Sequence, residues 1–370
     1  MNNMKTIMLM VMVLFGTVTG FAETITLKTA GLNECIEISN FLSNTKGEIF
    51  LYSGRMSKIF KFKQNGEFEK SYCRNGIGPG EVKRALWLYY NPVNNYLYLP
   101  EVSSSVPRIS IFDCEGNFKN YLDIELSPTQ KDHIFKMIFL EDGSFYVTIS
   151  ERIGWEPHGD VYLTKDKLSL LYFDKSGKLK ATIFEITRND EMSNAPRWGG
   201  PGILFSPSHI IKSTSDGNIC IGKTDENKLQ FFDKSGAKLG TTNFEMEPML
   251  LSDSEFEAAQ KESIKYFERD LRMQGLAKKM IKLKYKPIYK SFYIYNDRYV
   301  FVDFIKENAA GYIKETMLTV FDKKGKKQSN TKLNGVVMNI INNRLYVKEY
   351  DEDGNEFFRI EDSPFPLKMK

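Results

Sequence analysis

A short polar turn followed by an alternating apolar strand occurs six times along this chain. The copies read KGEIFLY, NNYLYL, DGSFYV, DGNICI, NDRYVFV and NNRLYV, and their turn residues are Gly47, Asn95, Gly143, Gly217, Asp297 and Asn343. Successive turns are separated by 48, 48, 74, 80 and 46 residues. A period of roughly 40–50 residues with several strands per unit is typical of propeller blades. The two longer intervals indicate insertions in the array.

A second apolar strand, which ends in Asp-x-x-Gly, follows five of the six copies. These segments are IFDCEGNF, YFDKSGKL, FFDKSGAK and VFDKKGKK, together with KFKQNGEF, which has Lys in place of Asp. The Asp side chain can form hydrogen bonds with the backbone of the turn, and Gly adopts a positive φ without strain, so this pattern favours a tight hairpin. With one apolar strand before each turn and one after each glycine, a unit contains four strands. We therefore predict an all-β fold, a six-bladed β-propeller.

The last unit indicates how the ring closes. Only three strands are visible after residue 336, whereas Thr24–Thr29 is an alternating strand without a unit of its own. We predict that residues 24–29 form the outer strand of the last blade, which removes two exposed sheet edges. The propeller domain then spans residues 23–370.

The first 22 residues have the pattern of a signal peptide. Lys5 supplies the positive charge, residues 7–15 form an apolar run, and Gly20 and Ala22 are small residues at the cleavage-determining positions. We expect cleavage near Ala22 and export to the periplasm or the exterior. The first cysteine is Cys35, so a bacterial lipid anchor at the cleavage site is not expected. No other segment approaches the length of a transmembrane helix.

The amino-acid composition excludes only a few classes of function. The chain is 42% hydrophobic and 26% charged, as in a folded protein, and its net charge of +4 comes without a nucleic-acid-binding motif. We expect a monomer that does not bind nucleic acid. Cys35, Cys73, Cys114 and Cys220 allow three disulfide pairings or free buried thiols, and they contain no Cys-x-x-Cys pair that would indicate zinc.

One segment has a helical pattern. Ser252 and Glu255 form a capping-box sequence, and five apolar residues share one helix face: Phe256, Ala259, Ile264, Phe267 and Leu271. We predict an α-helical insertion over residues 252–284, between blades 4 and 5. Eight Lys and Arg residues lie between positions 269 and 290, opposed only by Asp270. The segment is either a solvated helix that covers a loop or a basic lid over the mouth of the propeller.

Residues 72–82 read YCRNGIGPGEV, and their motif residues are Gly76, Gly78, Pro79, Gly80 and Glu81. This segment resembles one that links the first two blades in six-bladed β-propellers exported by gut and oral Bacteroidetes, which are related to NHL-repeat and TolB-like propellers. The resemblance covers roughly residues 24–361 and implies a binding or scaffolding role. The resemblance identifies no catalytic residue in this sequence.

The same glycine-rich segment has a second interpretation, a phosphate cradle flanked by Arg74 and Arg84. A phosphate loop requires a helix N-terminus behind it, whereas the residues after Glu81 lead into a strand. We therefore favour an interblade turn.

Two loops are candidate binding sites. In the third unit, Trp155, His158 and Asp160 occur in what we predict to be an irregular loop. Arg197 and Trp198 occur in a Pro/Gly-rich connection and are suited to stacking on a sugar or binding a carboxylate. An ordinary connection is the alternative for each loop.

No catalytic motif is present in the sequence. A nucleophile elbow is missing, and His133, His158 and His209 have no metal-ligand spacing. We predict non-catalytic recognition of a glycan, peptide or partner protein at the loop-rich face, without a cofactor. The alternative is a metal-dependent propeller hydrolase or lyase, with calcium held on the axis by oxygen ligands from several blades.

Overall fold

The computed structural model describes residues 25–26, 40–83, 85, 87–101, 108–127, 130, 134–189, 191–193, 202–295, 298–303, 315–341, 344–350 and 356–362. Within these residues, strands form six antiparallel sheets, numbered 1–6 below, and one two-stranded ribbon. The signal-peptide prediction, Cys35, Arg84, His133, Arg197 and Trp198 lie outside the described residues.

The first three sheets follow one another along the chain. Sheet 1 contains β2 (Asn40–Ser43), β3 (Ile49–Ser53), β4 (Lys58–Phe62) and β5 (Phe68–Tyr72). Sheet 2 contains β6 (Tyr89–Asn91), β7 (Tyr96–Glu101), β8 (Arg108–Asp113) and β9 (Phe118–Leu122). Sheet 3 contains β10 (Ile134–Phe139), β11 (Phe145–His158), β12 (Val161–Phe173) and β13 (Leu179–Arg188), and β14 (Met192–Ser193) pairs with β12.

The remaining sheets continue the same order. Sheet 4 contains β15 (His209–Ser213), β16 (Ile219–Lys223), β17 (Lys228–Phe232) and β18 (Lys238–Asn243), and β19 (Met249–Leu250) forms the ribbon with β20 (Tyr285–Lys286). Sheet 5 contains β21 (Tyr289–Tyr295), β22 (Arg298–Asp303), β23 (Glu315–Asp322) and β24 (Lys327–Asn334). Sheet 6 contains β25 (Val336–Ile341), β26 (Arg344–Tyr350), β27 (Glu356–Asp362) and β1 (Ile25–Thr26).

The predicted pairing of the N-terminal strand with the last sheet is confirmed. Ile25 pairs with Ile360 and Thr26 with Arg359, in antiparallel register, so β1 is the outer strand of sheet 6. The other residues of the predicted strand, 24 and 27–29, lie outside the described residues.

The Asp-x-x-Gly segments form the predicted hairpins. In each, the Asp side chain accepts hydrogen bonds from the backbone N–H groups two and four residues later, as Asp322 does from Lys324 and Lys326. Gly325 then has a φ of +81°, and a Cβ placed on it would lie 1.8 Å from the carbonyl oxygen of Asn243 in sheet 4. Only glycine satisfies both the turn conformation and this close approach to the neighbouring sheet.

The core lies between consecutive sheets. Separate apolar clusters join sheets 1 and 2, 2 and 3, 3 and 4, 4 and 5, and 5 and 6. A sixth cluster joins sheet 6 back to sheet 1, where the rings of Phe41 and Tyr346 have centroids 4.8 Å apart. The fold is therefore all-β and propeller-like.

Two helices lie within the described residues, α1 (Asp253–Tyr266) and α2 (Leu271–Ala277). The predicted capping box is present at α1: the Ser252 side chain accepts from the Glu255 N–H at 3.2 Å, and the Glu255 carboxylate accepts from the Ser252 N–H at 3.1 Å. Asp270 caps α2, which divides the segment that we predicted as helical. Neither described helix is long and apolar enough to cross a bilayer.

Candidate functional site

The hairpin β11–β12 extends well beyond the body of sheet 3. Its strands have 14 and 13 residues, whereas those of sheets 1, 2 and 4 have three to six. The prediction of an irregular loop around residues 154–160 was wrong. Trp155 pairs with Thr164 and His158 with Val161, a bulge after Arg152 absorbs one residue, and Gly159 with Asp160 forms the turn. Pairing in the ladder overrides the local preference of Gly154 and Pro157 for a loop.

The far half of this hairpin packs against the two helices. Val161 and Met192 from the strands form a buried core with Leu276, Ala277 and Met280. Phe256, Ile264 and Phe267, from the predicted apolar face of the helix, border this core. We call residues 152–166, 191–193, 202–204 and 249–286 the hairpin–helix unit. Leu271 departs from the prediction, because it begins the second helix and is 81% exposed.

Ion pairs neutralise part of the basic stretch in this unit. Lys282 pairs with Asp253 and Lys286 with Glu255, and Lys279 lies 3.7 Å from Asp160. The Lys286 side chain, with the capping bonds from Ser252, lowers the pKa of Glu255 to about 2 against the opposing effect of burial. Asp270 is the only acidic residue of the stretch 269–290 in sequence, and the fold adds acidic residues from outside it.

The residues predicted as a ligand patch occupy different surfaces of the hairpin. Trp155 is half-buried, whereas His158 and Asp160 are exposed. Trp155 and His158 are three residues apart on one strand, and alternation therefore directs them to opposite faces of the ribbon. The Trp155 Nε1 atom is buried without a hydrogen-bond partner among the described residues. Ligand binding by these residues remains a prediction.

The glycine-rich segment forms a turn between sheets 1 and 2 and binds its own carboxylate. The Glu81 side chain accepts from the Gly78 N–H at 2.8 Å and pairs with Arg74 at 2.8 Å. A Cβ on Gly76 would lie 2.2 Å from Glu81 Oε2. Together with Arg74, the Gly78 N–H lowers the pKa of Glu81. Because the Gly78 N–H and Arg74 are already bound by Glu81, this geometry favours an interblade turn over a phosphate cradle.

We call the first strand of each sheet its hub strand. Two lysines that the sequence analysis did not single out lie on the hub strands of sheets 3 and 4. Hub strands contact each other between sheets 1 and 2, 2 and 3, 4 and 5, and 6 and 1. Lys136 on β10 donates to the Ile211 carbonyl on β15, and Lys212 on β15 lies over the Tyr293 ring on β21, 4.4 Å from its centroid. The only sequence signal is a lysine inside an apolar strand, as in IFKMIF and HIIKS.

The surroundings of these two lysines disfavour their charged forms. Burial lowers the pKa of Lys212 to about 8. Burial and the nearby Lys212 lower the pKa of Lys136 well below its ordinary value. The causes of both shifts include no acidic residue, so no carboxylate in the described part of the chain stabilises either ammonium.

Other candidate chemistry is limited within the described part of the chain. No group of three or more His, Cys, Asp or Glu side chains is arranged there to hold a metal ion. Cys114 and Cys220 are buried, Cys73 is half-buried, and all three are free thiols. Burial raises the pKa of each of these thiols, which disfavours the reactive thiolate.

These sheets and their packing define the chain as a β-propeller-like, all-β protein. No family model matches it, and no curated protein matches it. Among solved structures, a protein of Bacteroides fragilis NCTC 9343 that is described as exported is 10% identical, with a TM-score of 0.53 over 93% of this chain and 95% of its own. At this identity the likeness concerns the fold alone.

Two further solved structures are less similar in shape. A member of the DUF4221 family from Bacteroides vulgatus ATCC 8482 is 11% identical, with a TM-score of 0.44 over 88% of this chain and 94% of its own. The extracellular domain of a hybrid two-component system from Bacteroides thetaiotaomicron is 11% identical, with a TM-score of 0.46 over 94% of this chain and 44% of its own.

Proposed function

We propose that this chain is an exported six-bladed β-propeller that binds a partner protein without catalysis, and that residues 252–284 are an insertion between blades 4 and 5. The six blades are supported by six sheets in chain order and by the apolar contact of sheet 6 with sheet 1. Export is supported by the N-terminal sequence and is consistent with the description of the Bacteroides fragilis protein. Membership among NHL-repeat or TolB-like propellers is part of the same proposal.

The distribution of exposed apolar side chains supports the binding role. Five of the nine large apolar residues that are exposed in the described part of the chain lie in the hairpin–helix unit: Ile153, Leu250, Tyr266, Leu271 and Tyr285. Exposed apolar groups concentrated in one region are characteristic of protein interaction sites. This concentration is the observation that carries the proposal and favours a protein over the glycan or peptide that the sequence equally allowed.

Site-specific photo-crosslinking in the source cell tests this role. A photoreactive amino acid replaces Tyr266 or Leu271 in the full chain, and Leu239 on β18, also exposed, is the matched control. We expect one protein adduct of defined mass from positions 266 and 271 that is missing at position 239. Equal adducts at all three positions, or none at any, contradict the proposal. Binding on a glycan array without adducts would favour the glycan alternative, with Trp155, His158, Asp160, Arg197 and Trp198 as its candidate residues.

The metal-dependent alternative remains a prediction. We propose that binding needs no cofactor, and calcium titration of the purified chain tests this. Stoichiometric calcium binding accompanied by hydrolase or lyase activity would favour the enzyme.

A further inference from the structure

Lys136 and Lys212 present two ammonium groups at the hub strands without an acidic partner among the residues that the structure describes. Both residues are half-buried. The Lys136 ammonium contacts a backbone carbonyl, and the Lys212 ammonium contacts an aromatic ring. None of the described Asp or Glu residues forms an ion pair with either lysine. The positive charge of Lys212 also disfavours the charged form of Lys136. Burying unpaired charge is unfavourable, and two like charges increase the penalty.

A buried lysine elsewhere in the chain has ample counter-charge. Lys61 is 1% exposed, and its ammonium contacts Glu48 at 2.9 Å, Glu69 at 3.3 Å and Glu115 at 2.7 Å. Burial acts to lower the pKa of Lys61, but its bonds to Glu115 and Glu48 raise it above the ordinary value. Lys61 thus has the counter-charge that a buried ammonium requires, whereas the described residues supply none to Lys136 or Lys212.

We propose that Lys136 and Lys212 form a binding site for the oxyanion group of a small ligand, a carboxylate or a phosphate. Each ammonium offers several donors, and one oxyanion bridging both would cancel their repulsion and supply the missing charge. Tyr293 would provide an apolar wall, because its ring already lies against Lys212. The Ile211 carbonyl holds Lys136 in place without competing for an anion. The site is separate from the hairpin–helix unit and does not depend on partner binding there.

Anion-dependent stability of the purified full chain tests the site. Thermal unfolding is followed in sodium phosphate, citrate, acetate or chloride at constant ionic strength, and heats of binding are measured in parallel. The variants are Lys136→Met, Lys212→Met and the double variant, with Lys238→Met on exposed β18 as the charge-matched control. A ligand at about 100 times its dissociation constant shifts the folding equilibrium about 100-fold.

We expect a saturable rise in unfolding temperature for the wild type and Lys238→Met, a binding constant weakened at least about 10-fold by each hub substitution, and no response from the double variant. The double variant should also unfold at a higher temperature than the wild type in chloride, because its unpaired charges are gone. A rise in unfolding temperature with phosphate but not with citrate or acetate identifies a phosphate ligand. A rise with citrate or acetate but not with phosphate identifies a carboxylate ligand.

Equal anion responses in the wild type and the double variant, or no response in either, would overturn the proposal. The Lys136→Arg/Lys212→Arg variant keeps both charges and should keep the response. Its loss in a chain with unchanged circular dichroism would also count against an oxyanion site.

Discussion

Asp303 shows how burial alone changes the chemistry of one side chain. It lies half-buried at the end of β22 and accepts a hydrogen bond from Thr319 Oγ1 at 2.9 Å. Burial raises its pKa from 3.8 to about 6, although the bond from Thr319 and the charge of Lys327 act in the opposite direction. Between these two pH values the folded state binds more protons than the unfolded state, so the contribution of Asp303 to stability falls as the pH rises.

Asp303→Asn should therefore stabilise the protein at pH 7, by about 1 kcal/mol, because Asn keeps the acceptor for Thr319 without the buried charge. The gain should be small at pH 4, where the folded side chain is neutral and the unfolded one about half ionised, and should vanish below about pH 3. Urea unfolding of both proteins at pH 4, 5.5 and 7 measures this difference in the free energy of unfolding. Asp160→Asn, at an exposed position, should change the free energy of unfolding little at any of these values. A gain that is constant with pH would refute the explanation.

Gly325→Ala should destabilise the protein by about 2 kcal/mol or more, because it adds strain at positive φ and a contact with the Asn243 carbonyl. Gly240 on β18 is the matched control, since it lacks a positive φ and a Cβ there would meet no atom within 4 Å. Gly240→Ala should be neutral or slightly stabilising. Chemical unfolding distinguishes them, and similar free energies for both variants would contradict the role assigned to the turn.

At the scale of elements, local signals predicted most strands correctly. Alternation and Asp-x-x-Gly turns act over a few residues, so the hairpins could be recognised without tertiary information. The long β11–β12 hairpin was missed because Gly154, Pro157 and Gly159 are loop-formers, and its extension depends on Val161 packing against helices that come about ninety residues later in the chain. Asp270 could equally have been an interior helix residue, and only its capping bonds reveal the break between α1 and α2.

Leu276→Asp should open the hairpin–helix unit without unfolding the sheets, because Leu276 is buried in a small core formed by residues of this unit. Leu271→Asp, on the same helix but exposed, should have little effect. Limited proteolysis maps the cleavage sites, and far-UV circular dichroism reports the remaining β-structure. We expect cleavage within residues 152–166 or 253–283 in the first variant alone. Global unfolding would show that the unit belongs to the main core.

At the scale of the whole molecule, the repeat predicted antiparallel four-stranded sheets that follow one another along the chain, and the unpaired strand at residues 24–29 predicted the β1–β27 pairing. The candidate sites were harder to predict, because their residues come from different sheets. Lys136, Lys212 and Tyr293 occur on three separate hub strands, and nothing in the sequence near any one of them points to the others. Sites assembled across a sheet array depend on register and packing, which short motifs do not encode.

Removing residues 1–29 should lower the unfolding temperature of the whole molecule, because β27 then loses its hydrogen-bonded neighbour. A chain that begins at residue 23 retains β1 and is the matched control. Hydrogen exchange should show faster exchange at the β27 amides that face β1 in the shorter chain, followed by a cooperative loss of structure at lower temperature. Equal unfolding temperatures for both chains would mean that this pairing contributes nothing to stability.

The position of β1 also sets an order of events during biosynthesis. The strand made first finds its partner only after sheets 1 to 5 and most of sheet 6 have been synthesised, so its long-range pairing must be among the late steps of folding. Until then β1 lacks the partner strand with which it pairs in the folded protein. A fluorescent reporter fused before residue 25 and another fused after residue 362 would lie at the same end of sheet 6. Energy transfer between them would report the moment at which β1 pairs with β27.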